Sequence, residues 1–255
     1  MKVIVLAAGQ GTRLRPLTDD RPKCMVEFRG KPVIDYIVSA VRRSGIDSIV
    51  IVDGYRKDVL ENHFSGQNIK FIANESYEST NMVSSLFCAE GELNDDVIIS
   101  YADIIYPPDV IKKLIDAPDE FAVVVDKDWR ELWSIRMENP LLDAETMKID
   151  GEGFIYGLGK KAASYDEIQG QYIGLIKMKK DFLRTVIKYY HSLDRNAVYD
   201  GKNFDNMYMT SLIQSLADNV KKPKAVFING GWIEIDSIED LKAYESGAGP
   251  AGLSL

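Results

Sequence analysis

The chain has 255 residues, of which 45% are hydrophobic, and its 31 basic and 39 acidic side chains give a net charge of −8. The acidic balance argues against nucleic acid and anionic membranes as main partners, because both favour basic surfaces. The length allows a substantial buried core, and neither a membrane-spanning apolar run nor a secretory signal is present, so we expect a cytoplasmic protein.

Cysteine and histidine are too scarce for several kinds of site. The sequence contains two residues of each type. A disulfide framework, a zinc site and Ser-His-Asp chemistry are therefore not expected.

The chain opens with a predicted strand that runs into a glycine-containing loop. Lys2–Ala8 is a short apolar run, and Gly9 and Gly11 free the backbone after it. Pro16 and Pro22 keep the next segment from forming one long helix. That segment carries four cations: Arg13, Arg15, Arg21 and Lys23. Backbone N–H groups and cations arranged in this order are typical of a polyphosphate site.

Two better-known phosphate loops do not fit this stretch. A dinucleotide fingerprint needs a third glycine where the chain has Leu14, and no Gly-Lys-Ser/Thr tripeptide completes a P-loop. A plain strand–helix turn with surface arginines would explain any one of these residues, but it does not explain their combination. We therefore favour a polyphosphate site.

Short strands alternate with helices through the first half of the chain. The predicted elements after the loop are helix Pro32–Gly45, strand Asp47–Asp53, helix Lys57–Phe64, strand Ile69–Ala73, a helix from about Asn81 and strand Val97–Asp103. This alternation predicts an α/β fold with a mixed, mainly parallel sheet flanked by helices. Ligands of such sheets bind at the carboxyl ends of the strands, where the glycine loop also lies.

Polar residues surround the start of the helix near Asn81. Ser79, Thr80, Asn81 and Ser84 have the donors and acceptors that read a nucleobase edge, but turn and capping chemistry explains them equally well. Thr80 is the expected helix cap. Asp103 follows a buried strand without an evident capping duty, and such an acid is suited to hold Mg²⁺.

The second half adds further strands, a hairpin and three helices. We predict strand Phe121–Asp126, hairpin Met147–Lys161 with its turn at Asp150-Gly151, strand Gly170–Lys177, helices Asp181–Leu193 and Phe204–Ala217, strands Ala225–Ile228 and Trp232–Ile235, and a last helix ending near Ser246. The spacing of Asp236 and Glu239 predicts a capping box for that helix. Residues 1–246 are expected to form one domain, with a nucleotide-binding part over about 1–126, a small acceptor-binding part over about 127–246, and a flexible tail over 247–255.

The opening stretch resembles a known signature. Leu6–Met25 is similar to the L-A-A-G-x-G-T-R-L-x-P-L-T…P-K pattern of the sugar-nucleotidyltransferase superfamily. Val123–Trp129, Glu167–Leu175 and Gly230–Leu241 resemble its branch of bacterial phosphocholine cytidylyltransferases and related CTP-dependent enzymes. The resemblance implies the Rossmann-like nucleotide-diphospho-sugar transferase fold. It also implies Mg²⁺-dependent transfer of CMP from CTP to a small phosphorylated acceptor, with release of pyrophosphate.

The resemblance assigns roles to particular residues. The implied catalytic residues are Lys23 on the α-phosphate, Arg13 on the β- and γ-phosphates, and Asp103 and Asp236 as Mg²⁺ ligands. The implied nucleotide-binding residues are Leu6, Ala7, Ala8, Gly9, Gly11, Thr12, Arg13, Ser79, Asn81, Ser84 and Ala102. The acceptor would contact Lys127, Asp128, Trp129, Trp133, Tyr172 and Glu234. The two tryptophans also fit simple core packing.

The sequence does not determine the identity of the acceptor or of the nucleotide. An aromatic and acidic set suits a cationic group such as the trimethylammonium of choline or the ammonium of an amino acid, and it does not choose between them. The resemblance implies phosphoglutamine as the first expectation, followed by phosphocholine or an aminoalkylphosphonate, in capsule or cell-surface decoration. A sugar-1-phosphate uridylyl- or thymidylyltransferase and a non-catalytic nucleotide-binding relative are the alternatives. The resemblance leaves a homodimer open.

Overall fold

The computed structural model describes residues 1–249. Runs of β-branched and aliphatic residues form the strands of its central sheet, and shorter strands pair outside that sheet. The strands are β1 (Lys2–Leu6), β2 (Glu27–Phe28), β3 (Lys31–Pro32), β4 (Ile49–Asp53), β5 (Ile69–Ala73), β6 (Val97–Tyr101), β7 (Ile104–Ile105), β8 (Phe121–Asp126), β9 (Glu145–Ile149), β10 (Ile155–Lys161), β11 (Gln171–Met178), β12 (Lys224–Ile228) and β13 (Ile233–Glu234). The helices are α1 (Val33–Arg43), α2 (Lys57–His63), α3 (Met82–Cys88), α4 (Pro108–Asp116), α5 (Trp129–Arg136), α6 (Lys180–Ser192), α7 (Met209–Asn219) and α8 (Ile238–Glu245). The predicted tail 247–255 lies outside the described residues from position 250 onward.

The central sheet has seven strands in the order β12-β8-β11-β6-β1-β4-β5. Most neighbours are parallel, whereas β11 runs antiparallel between β6 and β8. The predicted mixed, mainly parallel sheet is therefore confirmed. Because β11 is reversed, its first residues lie beside the carboxyl ends of β6 and β8. Strands β11 and β12, from the predicted acceptor-binding part, belong to the same sheet as β1.

Two hydrophobic layers cover the sheet. Val3 and Val5 of β1 face one layer, which also contains apolar residues of α1, α4, α5 and α8. Ile4 and Leu6 face the other layer, which contains residues of α3, α6 and α7. This alternation follows from the two-residue period of a strand. No helix in the part of the chain that the structure describes is long and apolar enough to cross a membrane.

The predicted hairpin is present as β9 and β10, which pair antiparallel. The carboxylate of Asp150 accepts hydrogen bonds from the backbone N–H groups of Glu152 at 3.1 Å and Phe154 at 2.9 Å, which fixes the turn. The side-chain oxygen of Gln214 on α7 accepts from the backbone N–H of Leu158 at 2.8 Å, so the hairpin is tied to the helical layer.

Three local expectations need correction. The helix predicted from Phe204 begins at Met209, after a separate 3-10 turn, Phe204–Asn206. Asn81, rather than Thr80, caps α3, because its side chain accepts from the backbone N–H of Met82.

The capping box of α8 is also displaced by one position from the prediction. It uses Ser237 and Asp240 rather than Asp236 and Glu239. The carboxylate of Asp236 is therefore not bound to the start of the helix.

Candidate active site

A cavity of about 260 Å³ lies at the carboxyl ends of β1 and β6. Its walls come from the glycine loop, the segment before α3, the end of β6 and the segment before α8. The lining residues are Leu6, Ala7, Ala8, Gly9, Gly11, Thr12, Arg13, Lys23, Cys24, Tyr77, Thr80, Asn81, Met82, Ser85, Ala102, Asp103 and Asp236. The structure thus brings all four predicted catalytic residues together with most of the predicted nucleotide-binding residues.

Gly11 fixes the shape of the loop and sits against Lys23. Its φ of 66° lies in the left-handed region, and a Cβ there would be 2.8 Å from the Cβ of Lys23. The hydroxyl of Thr18 donates to the Gly11 carbonyl at 2.8 Å and holds the loop from behind. A Cβ at Gly9 would meet no protein atom within 4 Å, so that glycine leaves room on the cavity side.

Lys23 connects the two predicted metal-binding acids. Its Nζ donates to Asp103 Oδ2 at 2.6 Å and to Asp236 Oδ1 at 2.6 Å. The guanidinium of Arg13 pairs with the other oxygen of Asp236. A lysine and an arginine from the glycine-loop segment therefore hold two acids that follow Lys23 by 80 and 213 positions in the sequence.

The neighbouring charges shift the pKa values of Lys23 and Asp236. Burial acts to lower the pKa of Lys23, but Asp103, Asp236 and Glu234 outweigh burial and raise that pKa well above its usual value. Burial likewise acts against ionised Asp236, yet Lys23 and Arg13 hold the pKa of that carboxyl below its usual range. Lys23 is consequently a fixed positive charge at neutral pH.

Asp103 and Asp236 are suited to bind Mg²⁺. One cation, the Lys23 ammonium, already contacts both carboxylates, so a single divalent ion placed between them would also reach both. Asp103 Oδ1 is buried and has no hydrogen-bond partner within residues 1–249, which leaves a donor oxygen available. Mg²⁺ is commonly held by one or two carboxylates together with substrate phosphates. No group of three or more side chains that could hold a metal ion occurs in the described residues, and the Mg²⁺ site at Asp103 and Asp236 stays a prediction.

The segment before α3 forms the opposite wall of the cavity. Buried Asn74 donates through its side-chain amide to Thr80 Oγ1 at 3.0 Å and to Ser85 Oγ at 2.9 Å, which orients two lining hydroxyls. Ser79 and Ser84 do not line the cavity. Ser79 donates to the carbonyl of Ser76, and Ser84 to that of Asp205. Their hydroxyls satisfy backbone groups, so the structure gives no support to a direct role in base recognition.

Lys127 and Asp128 follow the carboxyl end of β8, outside the cavity lining. The Lys127 ammonium lies 5.3 Å from the centre of the Phe227 ring, and Asp128 accepts from the side-chain amide of Asn229 at 3.0 Å. Both residues therefore face the β12 edge of the sheet. Their contact with an acceptor stays a prediction.

Trp129 and Trp133 belong to the hydrophobic core, which was the simpler of the two expectations. Each is 5% exposed, and their rings pack edge to face at 5.8 Å. The Trp133 indole N–H donates to Asp143 at 2.9 Å, and its ring also lies 6.2 Å from that of Trp232. Their packing is explained by the core, so a role as walls of an acceptor pocket stays a prediction.

Glu234 and Tyr172 lie near the acidic pair. Glu234 pairs with Arg136 at 2.6 Å, and burial raises the pKa of the Glu234 carboxyl to about 7, although Arg136 opposes this effect. The charges of Asp103 and Asp236 raise it further. The hydroxyl of Tyr172 is buried and has no hydrogen-bond partner among residues 1–249.

Four lining residues have no assigned role in the sequence analysis. They are Cys24, Tyr77, Met82 and Ser85. Ser85 lies four residues after Asn81, so a helical projection from Asn81 would have identified it, whereas Met82, at the next position, is not identified in this way. Tyr77 gives no comparable signal. Burial raises the pKa of Cys24 to about 12, which keeps its thiol protonated beside the cavity.

Comparison with known proteins identifies the family of the chain. Residues 3–164 match the family model described as the MobA-like NTP transferase domain. CTP:phosphoglutamine cytidylyltransferase of Campylobacter jejuni is 51% identical over 249 residues, covering 95% of this chain and 98% of the relative. Choline-phosphate cytidylyltransferase of Streptococcus pneumoniae is 26% identical over 212 residues, covering 78% of this chain and 92% of the relative.

A solved structure supports the fold separately. The inositol-1-phosphate CTP transferase from T. maritima superposes with a TM-score of 0.75 at 23% identity, over 96% of this chain and 93% of that protein. At this identity the likeness shows the fold alone, and it confirms the Rossmann-like transferase fold expected from the sequence. Together with the family match and the half-identical relative, it leads to one conclusion. The chain belongs to the family of MobA-like NTP transferase domains and is a nucleotidyltransferase of the branch that contains the cytidylyltransferases.

Proposed function

We propose that the protein transfers CMP from CTP to a small phosphorylated compound that carries an amino or ammonium group, with phosphoglutamine as the first candidate. The observation that carries this proposal is the contact of Lys23 with both Asp103 and Asp236 at the end of a glycine loop. The half-identical Campylobacter jejuni relative, named for CTP and phosphoglutamine, supports the choice of both substrates.

The proposed step is an in-line displacement at phosphorus. A phosphate oxygen of the acceptor forms a bond to the α-phosphorus of CTP, and the bond from that phosphorus to the oxygen bridging to the β-phosphate breaks. The electron pair leaves with pyrophosphate, and the acceptor keeps the CMP group. No enzyme nucleophile is required, so catalysis rests on positioning and on stabilisation of charge.

Each residue of the cluster has a task in this step. Gly9 and Gly11 line the cavity, so their backbone N–H groups would bind the triphosphate, and Arg13 would pair with the β- and γ-phosphates that leave. Lys23 would move from its acids to the α-phosphate and the incoming phosphate, where negative charge is concentrated. Asp103 and Asp236 would hold Mg²⁺, which when bound neutralises phosphate charge and polarises the α-phosphate.

The setting of the reaction is part of the proposal. Cys24 and Cys88 are unpaired, which supports a reducing compartment and hence the cytoplasm. A CMP-activated amino compound would serve as donor for capsule or other cell-surface decoration. This role follows from the relatives and from the chemistry of an activated phosphate.

The experiment is pyrophosphate release measured over a grid of substrates with Mg²⁺. CTP, UTP, dTTP and ATP are each combined with phosphoglutamine, phosphocholine, 2-aminoethylphosphonate and glucose-1-phosphate. We expect release with CTP and an amino- or ammonium-bearing acceptor, and loss of release when EDTA is added. Release with UTP or dTTP and glucose-1-phosphate would overturn the proposal and favour a sugar-1-phosphate enzyme. Release with none of the pairs would contradict it for all acceptors tested.

A further inference from the structure

Glu145, the first residue of β9, carries a half-buried carboxylate without a counter-charge. Neither a hydrogen bond nor an ion pair from any other described residue reaches it, and the one charge that acts on it is the like charge of Asp143. Burial, together with Asp143, raises the pKa of Glu145 to about 7. An acid in this condition is stabilised by any cation that can reach it.

The backbone of Glu145 is held in place by a buried amide. The Gln171 side chain accepts from the Glu145 N–H at 3.2 Å and donates to the Glu145 carbonyl at 2.5 Å. Gln171 is 5% exposed and is the first residue of β11, level with Asp126 at the carboxyl end of β8. Both ends of one side chain are thus used to fix the start of β9 against the central sheet.

This arrangement places Glu145 beside the candidate active site. The rings of Tyr101 and Tyr172 pack edge to face at 5.6 Å, and Tyr101 ends β6 two residues before Asp103. Both tyrosine hydroxyls lie within electrostatic range of Asp103 and of Glu145. Through Gln171 and the two packed tyrosines, Glu145 is thus connected to the strand end that precedes Asp103.

Glu145 differs from the neighbouring Glu234 in what its charge is paired with. Glu234 is bound by Arg136, and Arg136 in turn contacts Asp240 at 3.1 Å. Its negative charge is thus largely compensated within the protein. Among residues 1–249, Glu145 has no such cation, and the buried Tyr172 hydroxyl has no hydrogen-bond partner although it interacts electrostatically with that of Tyr101. An acid without a counter-charge and a hydroxyl that can still accept match a ligand that supplies a positively charged N–H donor.

We propose that Glu145 binds the ammonium group of the acceptor, with the Tyr172 hydroxyl as a second polar contact. The inference rests on the proposed function and deepens it, because it identifies the feature by which the acceptor is selected. Glu145 contacts the part of the acceptor that does not react. Its contribution therefore belongs to acceptor affinity rather than to the rate of transfer.

The test compares Glu145→Gln with the wild type and with Glu152→Gln, an exposed glutamate on the turn of the same hairpin. The amino-bearing acceptor used is the one that supports pyrophosphate release in the wild type. We expect Glu145→Gln to raise KM for that acceptor roughly tenfold or more, as for loss of a charge-assisted hydrogen bond, while kcat and the KM for CTP stay within about threefold. Glu152→Gln should match the wild type.

A second variant separates binding from folding. Tyr172→Phe removes a hydroxyl that has no hydrogen-bond partner among residues 1–249, so the urea midpoint should not fall, while KM for the acceptor should rise. An unchanged acceptor KM in Glu145→Gln, or an equal loss of kcat with all substrates, would overturn the inference. In either case, wild-type release with CTP and an amino acceptor would leave the proposed function standing.

Discussion

The Nζ of Lys23 lies 2.6 Å from Oδ2 of Asp103, a residue 80 positions later in the sequence. The same ammonium lies 2.6 Å from Asp236 Oδ1. The lysine therefore contacts both of the acids that would hold Mg²⁺. Lys23 and Mg²⁺ would compete for these carboxylates, and nucleotide phosphates, which attract the lysine, would favour the metal.

Replacing Lys23 by alanine tests both of its contacts. The proposed transition state loses a positive charge, so kcat should fall by about a hundredfold to a thousandfold, with nucleotide binding largely retained. Asp103 then loses its cation and Asp236 keeps only Arg13, so Mn²⁺ should bind the nucleotide-free variant at least tenfold more tightly. Pyrophosphate release and Mn²⁺ titration by electron paramagnetic resonance measure the two effects.

Lys112→Ala is the matched control for this variant. Lys112 is an exposed residue of α4, so its loss changes the net charge equally without touching the site. Both measurements should stay at wild-type values. Unchanged turnover in Lys23→Ala would remove Lys23 from the mechanism, and unchanged Mn²⁺ affinity would show that it does not compete with metal.

The two glycines of the loop should respond differently to alanine. In Gly11→Ala, the new Cβ would stand 2.8 Å from the Cβ of Lys23 at a φ of 66°. That variant should lose roughly 1–2 kcal/mol of unfolding free energy from the left-handed backbone and, since Lys23 is displaced, should also lose most of its activity. Gly9→Ala meets no protein atom within 4 Å and should keep its stability.

Gly9→Ala therefore reports on the ligand alone. If the triphosphate approaches Gly9 closely, the added methyl group raises the dissociation constant for CTP while the urea midpoint stays constant. Calorimetric titration with CTP and urea unfolding of both variants distinguish these effects. Wild-type CTP affinity in Gly9→Ala would place the triphosphate elsewhere in the cavity.

Local sequence patterns predicted the elements that place the site. Strands β5 and β8 have the bounds expected from their apolar runs, and the glycine loop follows β1 as anticipated. These features depend on neighbours in the chain, so periodicity and glycine positions suffice to identify them. Asp103 was identified because it follows a strand without a capping duty, and the structure directs it towards Lys23.

Local sequence patterns did not predict the contacts between residues that are far apart in the chain. The clamp between Gln171 and Glu145 depends on a reversed β11, whose direction no local pattern reveals. The cap of α8 was displaced by one residue because Asp236 and Ser237 are both good capping residues, and only the backbone geometry selects Ser237. Where two neighbouring residues have similar local preferences, tertiary packing thus determines which of them is used.

Arg136 should be a large contributor to stability. Its side chain is 4% exposed and contacts Glu234 at 2.6 Å and Asp240 at 3.1 Å. Arg136→Met leaves buried Asp240 and partly exposed Glu234 without their counter-charge, so the free energy of unfolding should fall by about 3–5 kcal/mol. Arg184→Met removes an exposed ion pair with Asp181 and should change it by less than about 1 kcal/mol. Urea unfolding at pH 8 measures both, and equal effects would contradict the role assigned to Arg136.

Asp53, at the end of β4, should make stability depend on pH. Both of its carboxylate oxygens are buried without a hydrogen-bond partner among residues 1–249, and burial, reinforced by Glu61, raises its pKa from 3.8 to about 6. Between these two pH values the folded protein binds more protons at this site than the unfolded chain does. Ionisation of Asp53 therefore lowers the free energy of unfolding as the pH rises through this window.

Asp53→Asn removes this dependence. The free energy of unfolding of Asp53→Asn minus that of the wild type should increase by about 2 kcal/mol from pH 4.5 to pH 7.5, because ionisation of Asp53 destabilises only the wild type. Each tenfold difference in proton affinity corresponds to about 1.4 kcal/mol. The comparison of two pH values cancels any constant effect of the amide itself. Asp58→Asn, an exposed residue of α2, should show no such difference. A parallel pH dependence of urea unfolding in Asp53→Asn and the wild type would show that Asp53 is ionised normally in the folded protein.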